Sequence, residues 1–256
     1  MSRSLPWLSQ RYWGAPRVSW RMLLGRETRV PLVDRPLMLL YTTFLLQPNG
    51  TFRFVLYKVP RVASEAASSA LVHEARVLHV LRGVRGVPRL YGLTQTPEEA
   101  IVMSFCPGEP LQTFLRQETA CTYLQALRSV SLTLKGMHDL GVAHGSLHPH
   151  NILVFVLQGH GGLAEHVITS VVGLRSAIMD GSEWAKWADL HSVVGMAQGI
   201  QGHLTENMEL AGRCKDLARL AALTPARLNW SVVLMFLCKV LHGENLGLCT
   251  TCVFEV

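Results

Sequence analysis

Apolar and polar positions along this chain follow two different rhythms, and the change of rhythm divides it. Residues 51–59 (TFRFVLYKV) are rich in aromatic and β-branched side chains and partly alternate, and Pro48-Asn49-Gly50 just before them is a turn signal, so this stretch reads as one arm of a hairpin. Over 64–81 the period lengthens: Ala70, Leu71, Val77, Leu78 and Leu81 recur at helical spacing, with no Pro or Gly inside. A helix is predicted there. Residues 87–93 and 100–105 return to short apolar runs, separated by Thr96-Pro97-Glu98-Glu99 and closed by Pro107-Gly108, which predicts two more strands.

Beyond Pro110 the helical rhythm dominates. Residues 111–116 read as a short helix, and 123–140 as a long one, with Leu124, Leu127, Val130, Leu134 and Met137 forming a single apolar stripe that stops at Gly141. Residues 144–151 read as a loop, 152–156 and 167–172 as strands, and 187–199, 211–223 and 229–241 as helices. The pattern predicts an α+β protein with a β-rich first half and a helical second half. No internal repeat or low-complexity tract interrupts it.

Composition narrows the class. Hydrophobic residues make up 49% of the 256 and charged residues 16%, which places the chain among globular proteins and away from disorder. The longest apolar runs, 36–46 and 230–238, fall short of the roughly 18 residues a membrane-crossing helix needs. The N-terminus lacks the apolar core and small-residue cleavage site of a secretory leader, so an intracellular, cytoplasmic protein is expected. The six cysteines follow no repeated spacing, which fits reduced thiols. Cys249-Thr250-Thr251-Cys252 has no second pair to complete a zinc site.

Of the net charge of +6, residues 1–29 carry +5, six arginines against Glu27. Trp7, Tyr12, Trp13 and Trp20 lie among those arginines. This reads as a loose basic tail, with contact to an anionic membrane or nucleic acid as the alternative.

Several segments, in order, resemble the protein kinase family. Val55-Leu56-Tyr57-Lys58 is similar to the V-A-I-K strand, whose lysine pairs with nucleotide phosphates and a helix glutamate; Glu74 follows sixteen residues later in the predicted helix. Such a lysine and glutamate are common, and only the order of segments gives them meaning. Ile101-Val102-Met103-Ser104-Phe105-Cys106-Pro107-Gly108 resembles the strand leading into the hinge. His144-Gly145-Ser146-Leu147-His148-Pro149-His150-Asn151-Ile152-Leu153 resembles the catalytic loop H-R-D-L-K-P-x-N-I-L. Ile168-Thr169-Ser170-Val171-Val172-Gly173-Leu174 is similar to the strand entering D-F-G-L, and Asp189-Leu190-His191-Ser192 to the D-x-[WY]-S helix start. Thr224-Pro225-Ala226-Arg227 is similar to the late arginine turn.

The resemblance implies a bilobal fold: a tail over 1–29, a small β-rich lobe with one helix over 30–108, and a mainly helical, truncated lobe over 109–256. It also implies that Lys58, Glu74, Met103, Ser104, Cys106 and Asn151 are the residues a nucleotide would meet.

The departures from the pattern bear on activity. Kinase chemistry needs one carboxylate to orient the incoming hydroxyl, another to hold magnesium, and a loop over the phosphates. Ser146 stands at the first aspartate position and Val171 at the second, leaving Asn151 as the sole candidate metal ligand. His148 replaces the loop lysine, and 33–44, where the phosphate loop is expected, contains no glycine. Fifteen residues separate Gly173 from Asp189, too few for the family's activation segment, and no A-P-E is present.

The expectation is therefore a pseudokinase with no catalytic residue and no metal site, acting on a protein partner as scaffold or regulator. A domain that keeps ATP, without magnesium, is the second reading, and an unrelated helical interaction protein is the third. His144, His148 and His150 are imidazoles near one another, but His144 has a packing role in the family and the others sit in a loop, so they are not taken as a metal site.

Overall fold

A computed structural model describes residues 16–24, 32–34, 37–94, 99–114, 120–157, 166–199 and 228–242. The described residues divide into two compact units. One lies within Met1–Gly83, Val87–Cys106 and Leu174–Ser176; the other lies within Val84–Gly86, Pro107–Gly173 and Ala177–Val256.

The first unit is built on a six-stranded antiparallel sheet: β1 (Leu23–Leu24), β2 (Val33–Asp34), β3 (Met38–Leu46), β4 (Phe52–Pro60), β5 (Leu90–Thr94) and β6 (Ala100–Ser104). The order is β1-β3-β4-β6-β5, with β2 paired to the far end of β3. The Pro48-Asn49-Gly50 turn joins β3 and β4 as the sequence predicts, with Gly50 at φ +80°, where a residue without Cβ is at ease. Alternation along β4 sends Arg53, Val55, Tyr57 and Val59 to one face and Phe52, Phe54, Leu56 and Lys58 to the other.

Helix α1 (Glu65–Val80) is N-capped by Ser64, whose hydroxyl accepts from the Ala67 amide at 3.2 Å. It brings Glu74 to the Lys58 face. The opposite face is covered by residues 16–24. Val18 donates to the Leu93 carbonyl at 3.0 Å on one edge of the sheet, Trp20–Met22 forms a 3-10 turn, and Leu23–Leu24 pairs with β3 beyond β4.

The expectation of a loose tail over 1–29 is thus wrong for 16–24. Val18, Trp20 and Leu23 are buried in one core with Leu45, Val55, Tyr57, Val59 and Val102. Trp20 meets Tyr57 edge-on at 5.8 Å, and Tyr57 stacks on Tyr41 at 5.1 Å. The physical reason is that this face is apolar and would otherwise lie open to water. Gly92 makes the strap fit, since a Cβ there would stand 2.6 Å from the Pro16 carbonyl oxygen. Trp20 is accordingly unavailable for the membrane or nucleic-acid contact considered above. The rest of that basic stretch lies outside the described residues.

The second unit contains β7 (Glu109–Pro110), α2 (Leu111–Phe114), α3 (Ala120–Asp139), β8 (Ile152–Leu157), β9 (His166–Val171), α4 (Glu183–Gly199) and α5 (Trp230–His242). The α3 stripe is as the sequence predicts: Leu124, Leu127, Val130, Leu134 and Met137 are fully buried, and α3 packs against α4, α5 and β9. Gly141 ends the helix at φ +75°.

Helix α4 begins four residues before the expected 187, because Ser182 caps it: its hydroxyl accepts from the Ala185 amide at 3.4 Å. The strand expected over 87–93 starts only at Leu90, since 81–87 is taken up by turns. The helix expected over 211–223, Arg227 and the Cys249–Cys252 pair lie outside the described residues. Among the described residues no helix is long and apolar enough to cross a membrane.

Candidate functional site

In the β-rich unit, Lys58 sits on β4 opposite Leu40 of β3 and Ile101 of β6. Its ammonium lies 2.5 Å from the Glu74 carboxylate on α1, and the two residues are only 8% and 4% exposed. Two central strands and a capped helix fix both backbones, so little side-chain freedom remains to be lost in pairing. Two residues before Lys58, on the same face, the alanine of V-A-I-K is replaced by Leu56, set opposite Thr42 and Met103.

Met103 is buried on β6. Ser104 donates its amide to the Arg89 carbonyl and accepts the Arg89 amide on its hydroxyl, both at 2.9 Å, so these groups serve the sheet. The half-buried Cys106 thiol lies 3.9 Å from the Ser104 carbonyl.

In the helical unit the loop 144–151 is held by a buried carboxylate. Asp189, in the second turn of α4 and 1% exposed, accepts from the His144 amide at 2.6 Å, the Gly145 amide at 3.1 Å and His138 Nε2 at 3.0 Å. His138 Nδ1 in turn accepts from Trp230 Nε1 at 2.8 Å. An indole nitrogen can only donate, so Nδ1 is the bare nitrogen and Nε2 carries the proton. His144 is ordered by the same logic: Nε2 donates to the Val172 carbonyl at 3.0 Å, and Nδ1 accepts from the Ser146 amide at 3.3 Å.

These contacts position the residues that matter for chemistry. Ser146 is exposed. Asn151 is buried, and its Nδ2 donates to the Ser146 carbonyl and to His148 Nε2, both at 3.0 Å. Its Oδ1 faces Gly173, where a Cβ would come within 2.9 Å. His148 and His150 are exposed, with rings 5.8 Å apart. Val171 is fully buried at the end of β9, and its amide donates to the Gly86 carbonyl at 2.7 Å.

From Gly173 the chain reaches α4 in nine residues, 174–182. Ala143 and Ile178 exchange two backbone hydrogen bonds at 2.9 Å, and Gly181 donates to the Gly141 carbonyl at 3.1 Å. No long segment intervenes.

This donor set does not fit magnesium, which takes hard oxygen ligands and carboxylates in particular. The Val171 side chain offers no oxygen, and the Asn151 side chain offers one neutral oxygen turned toward Gly173. Among the described residues no group of three or more His, Cys, Asp or Glu is arranged to hold a metal ion. The Lys58–Glu74 pair, by contrast, is the strand-lysine and helix-glutamate ion pair that the sequence resemblance implies.

The sequence reading brought together Lys58 with Glu74; it named His144 and Asp189 in separate segments, and the structure joins them through the His144 and Gly145 amides. The sequence reading missed His138 and Trp230, which stand 92 positions apart and carry no motif. The polar end of α3 beside Gly141 gave the only hint of His138.

Comparison with known proteins agrees with this geometry. The family described as protein tyrosine and serine/threonine kinase matches residues 45–187, more than half of the chain. A Drosophila melanogaster protein named "Death-associated protein kinase related" is 32% identical over 98 residues, 37% of this chain. That match spans only 14% of the fly protein's length. With the lysine–glutamate pair, the asparagine loop and the buried Asp189 of α4 in family order, this chain belongs to the protein tyrosine and serine/threonine kinase family.

Proposed function

We propose that this kinase-family domain does not transfer phosphate and instead acts inside the cell as a protein-binding scaffold or regulator. The observation that carries the reading is Val171, a fully buried valine where the family places its magnesium-holding carboxylate. Ser146 removes the second acid: an exposed hydroxyl is not an anionic base at neutral pH. The short 174–182 connection supports the same conclusion, since it leaves no activation segment against which a substrate peptide would dock.

The frame around these losses is kept. Asp189 still holds the loop, and Gly173 still packs on Asn151, which supports a domain retained for its shape. The test is a phosphotransfer assay with purified chain, magnesium-ATP and a mixed peptide substrate. No turnover above background is expected, and turnover that Lys58→Ala abolishes would overturn the proposal.

A second reading, nucleotide binding without metal, is favoured by the buried Lys58–Glu74 pair at 2.5 Å. A rise in melting temperature with ATP in the presence of a chelator, lost in Lys58→Ala, would support it.

A further inference from the structure

On the strap side of the β-rich sheet, two arginines meet at one tyrosine. Leu90 of β5 pairs with Met103 of β6 and Gly92 with Val102, so Tyr91 is the extra residue of a bulge, a device that re-aims a side chain. The half-buried Tyr91 reaches past β6 to Arg53 of β4, whose Nη1 donates to the phenol oxygen at 2.9 Å. The Arg53 guanidinium carbon stands 5.3 Å from the ring centre, and that of the exposed Arg89 stands 5.8 Å from the same centre. Both lie within the roughly 6 Å reach of a cation–π contact.

The two cations approach from the same end of the sheet. β4 and β5 each run antiparallel to β6 and hence in the same direction as one another, and Arg89 precedes Tyr91 by two residues. Ser104 of β6 sets the level: it pairs with Val55, two residues after Arg53, and exchanges hydrogen bonds with the Arg89 backbone.

One guanidinium on a ring is an ordinary stabilising contact. A second beside it adds like-charge repulsion, and among the described residues no carboxylate pairs with either arginine. The cluster also consists of donors. Arg53 Nη1 takes up the phenol oxygen, while the phenol hydrogen, the rest of the Arg53 fork and the whole Arg89 guanidinium find no acceptor among the described residues.

A compact anion with several acceptor oxygens completes such a set. A phosphate monoester carries close to two negative charges and three acceptor oxygens, and arginine forks match it two bonds at a time. The ring contacts hold the guanidiniums in place beforehand, which lowers the ordering cost of binding. Two arginines on one ring form a point and not a track, which suits a single phosphate rather than the repeating backbone of a nucleic acid or a broad lipid surface.

We infer that Arg53 and Arg89, positioned by Tyr91, bind the phosphate of a phosphorylated side chain on a partner protein. The inference deepens the scaffold reading and rests on it in taking the phosphate to be carried by a protein.

The test uses the full chain and fluorescence anisotropy with two labelled peptide pools, flanks randomised over Ala, Gly and Leu, whose central residue is phosphoserine or serine. The phosphoserine pool is expected to bind saturably and about tenfold or more tightly than the serine pool, the size of one hydrogen bond to a charged group. Inorganic phosphate displaces it. Arg89→Gln, at an exposed position, and Arg53→Lys, which keeps the charge and loses the fork, each weaken it about fivefold or more. If Arg53→Lys lowers the melting temperature, Arg89→Gln at an unchanged melting temperature decides.

Equal affinity for the two pools, no saturable binding, or a phosphoserine affinity that Arg89→Gln leaves unchanged each overturns the proposal. So does tighter binding, at equal phosphate, to vesicles of phosphatidylcholine and phosphatidic acid or to a single-stranded oligonucleotide, which would assign the arginines to a membrane or a nucleic acid. Failure here leaves the loss of phosphotransfer standing, and turnover in the phosphotransfer assay leaves this site untouched.

Discussion

Replacing Asp189 by Asn changes one oxygen for an NH2 group and leaves the volume of the side chain almost unaltered. In the native site both carboxylate oxygens only accept: Oδ2 takes the His144 amide and His138 Nε2, and Oδ1 takes the Gly145 amide. An asparagine has one acceptor, so in either orientation its NH2 faces at least one N–H donor. His138 cannot relieve the conflict by changing tautomer, because Trp230 Nε1 occupies its other nitrogen.

At least one hydrogen bond to a charged group is lost and a buried donor is stranded, together about 3 kcal/mol. Asp189→Ala strands all three donors and costs about 5 kcal/mol or more. Urea unfolding followed by tryptophan fluorescence measures the total, and amide hydrogen exchange at His144 and Gly145 reports the local effect. If Asp189→Asn costs under about 1 kcal/mol and leaves those two amides as protected as before, the carboxylate is not what holds the loop.

Three further outcomes follow from the same geometry. Glu74→Leu alone leaves the Lys58 ammonium buried without a partner and costs about 3–5 kcal/mol, whereas Lys58→Met with Glu74→Leu recovers most of it in a double-mutant cycle; additive losses would contradict a coupled pair. Trp20→Ala removes the anchor of the 16–24 strap and destabilises the domain by about 3–5 kcal/mol by chemical denaturation, so a change below about 1 kcal/mol would mean the strap contributes little to the β-rich unit. Burial pushes the Tyr123 phenol up to about 12, so the protonated form is favoured by folding; stability is full below about pH 10 and falls by about 2–3 kcal/mol between pH 10 and 12. That alkaline loss should be missing in Tyr123→Phe, and an identical pH profile in the variant would refute it.

What could be read from the sequence was what is local or held in a fixed order. The α3 stripe is a repeat within one helix, so periodicity suffices for it, whereas Lys58 on β4 and Glu74 on α1, sixteen residues apart, took their meaning from the order of segments that resembles the family. The 144–151 loop was legible because His144, Leu147, Pro149 and Asn151 stand in register with the family's loop.

The strap was not legible. Residues 16–24 have no period of their own, and what orders them is the apolar face of β3 and β4, reached only in three dimensions. Charge made the segment look like a tail, while burial of Trp20, Val18 and Leu23 decided its fate. The early start of α4 was hidden because the segment after Gly181 opens with an exposed Trp184, which offers no apolar stripe to detect. The His138–Trp230 contact joins two helices that only tertiary packing brings together.

The central claim is that the family's metal-holding position has been lost to Val171. Calorimetric titration of the chain with ATP, once in magnesium and once in EDTA, tests it most directly. The account predicts that magnesium adds nothing to whatever nucleotide affinity Lys58 supplies. Tighter binding in magnesium, reversed by Asn151→Ala, would show that a divalent ion is held after all and would contradict it.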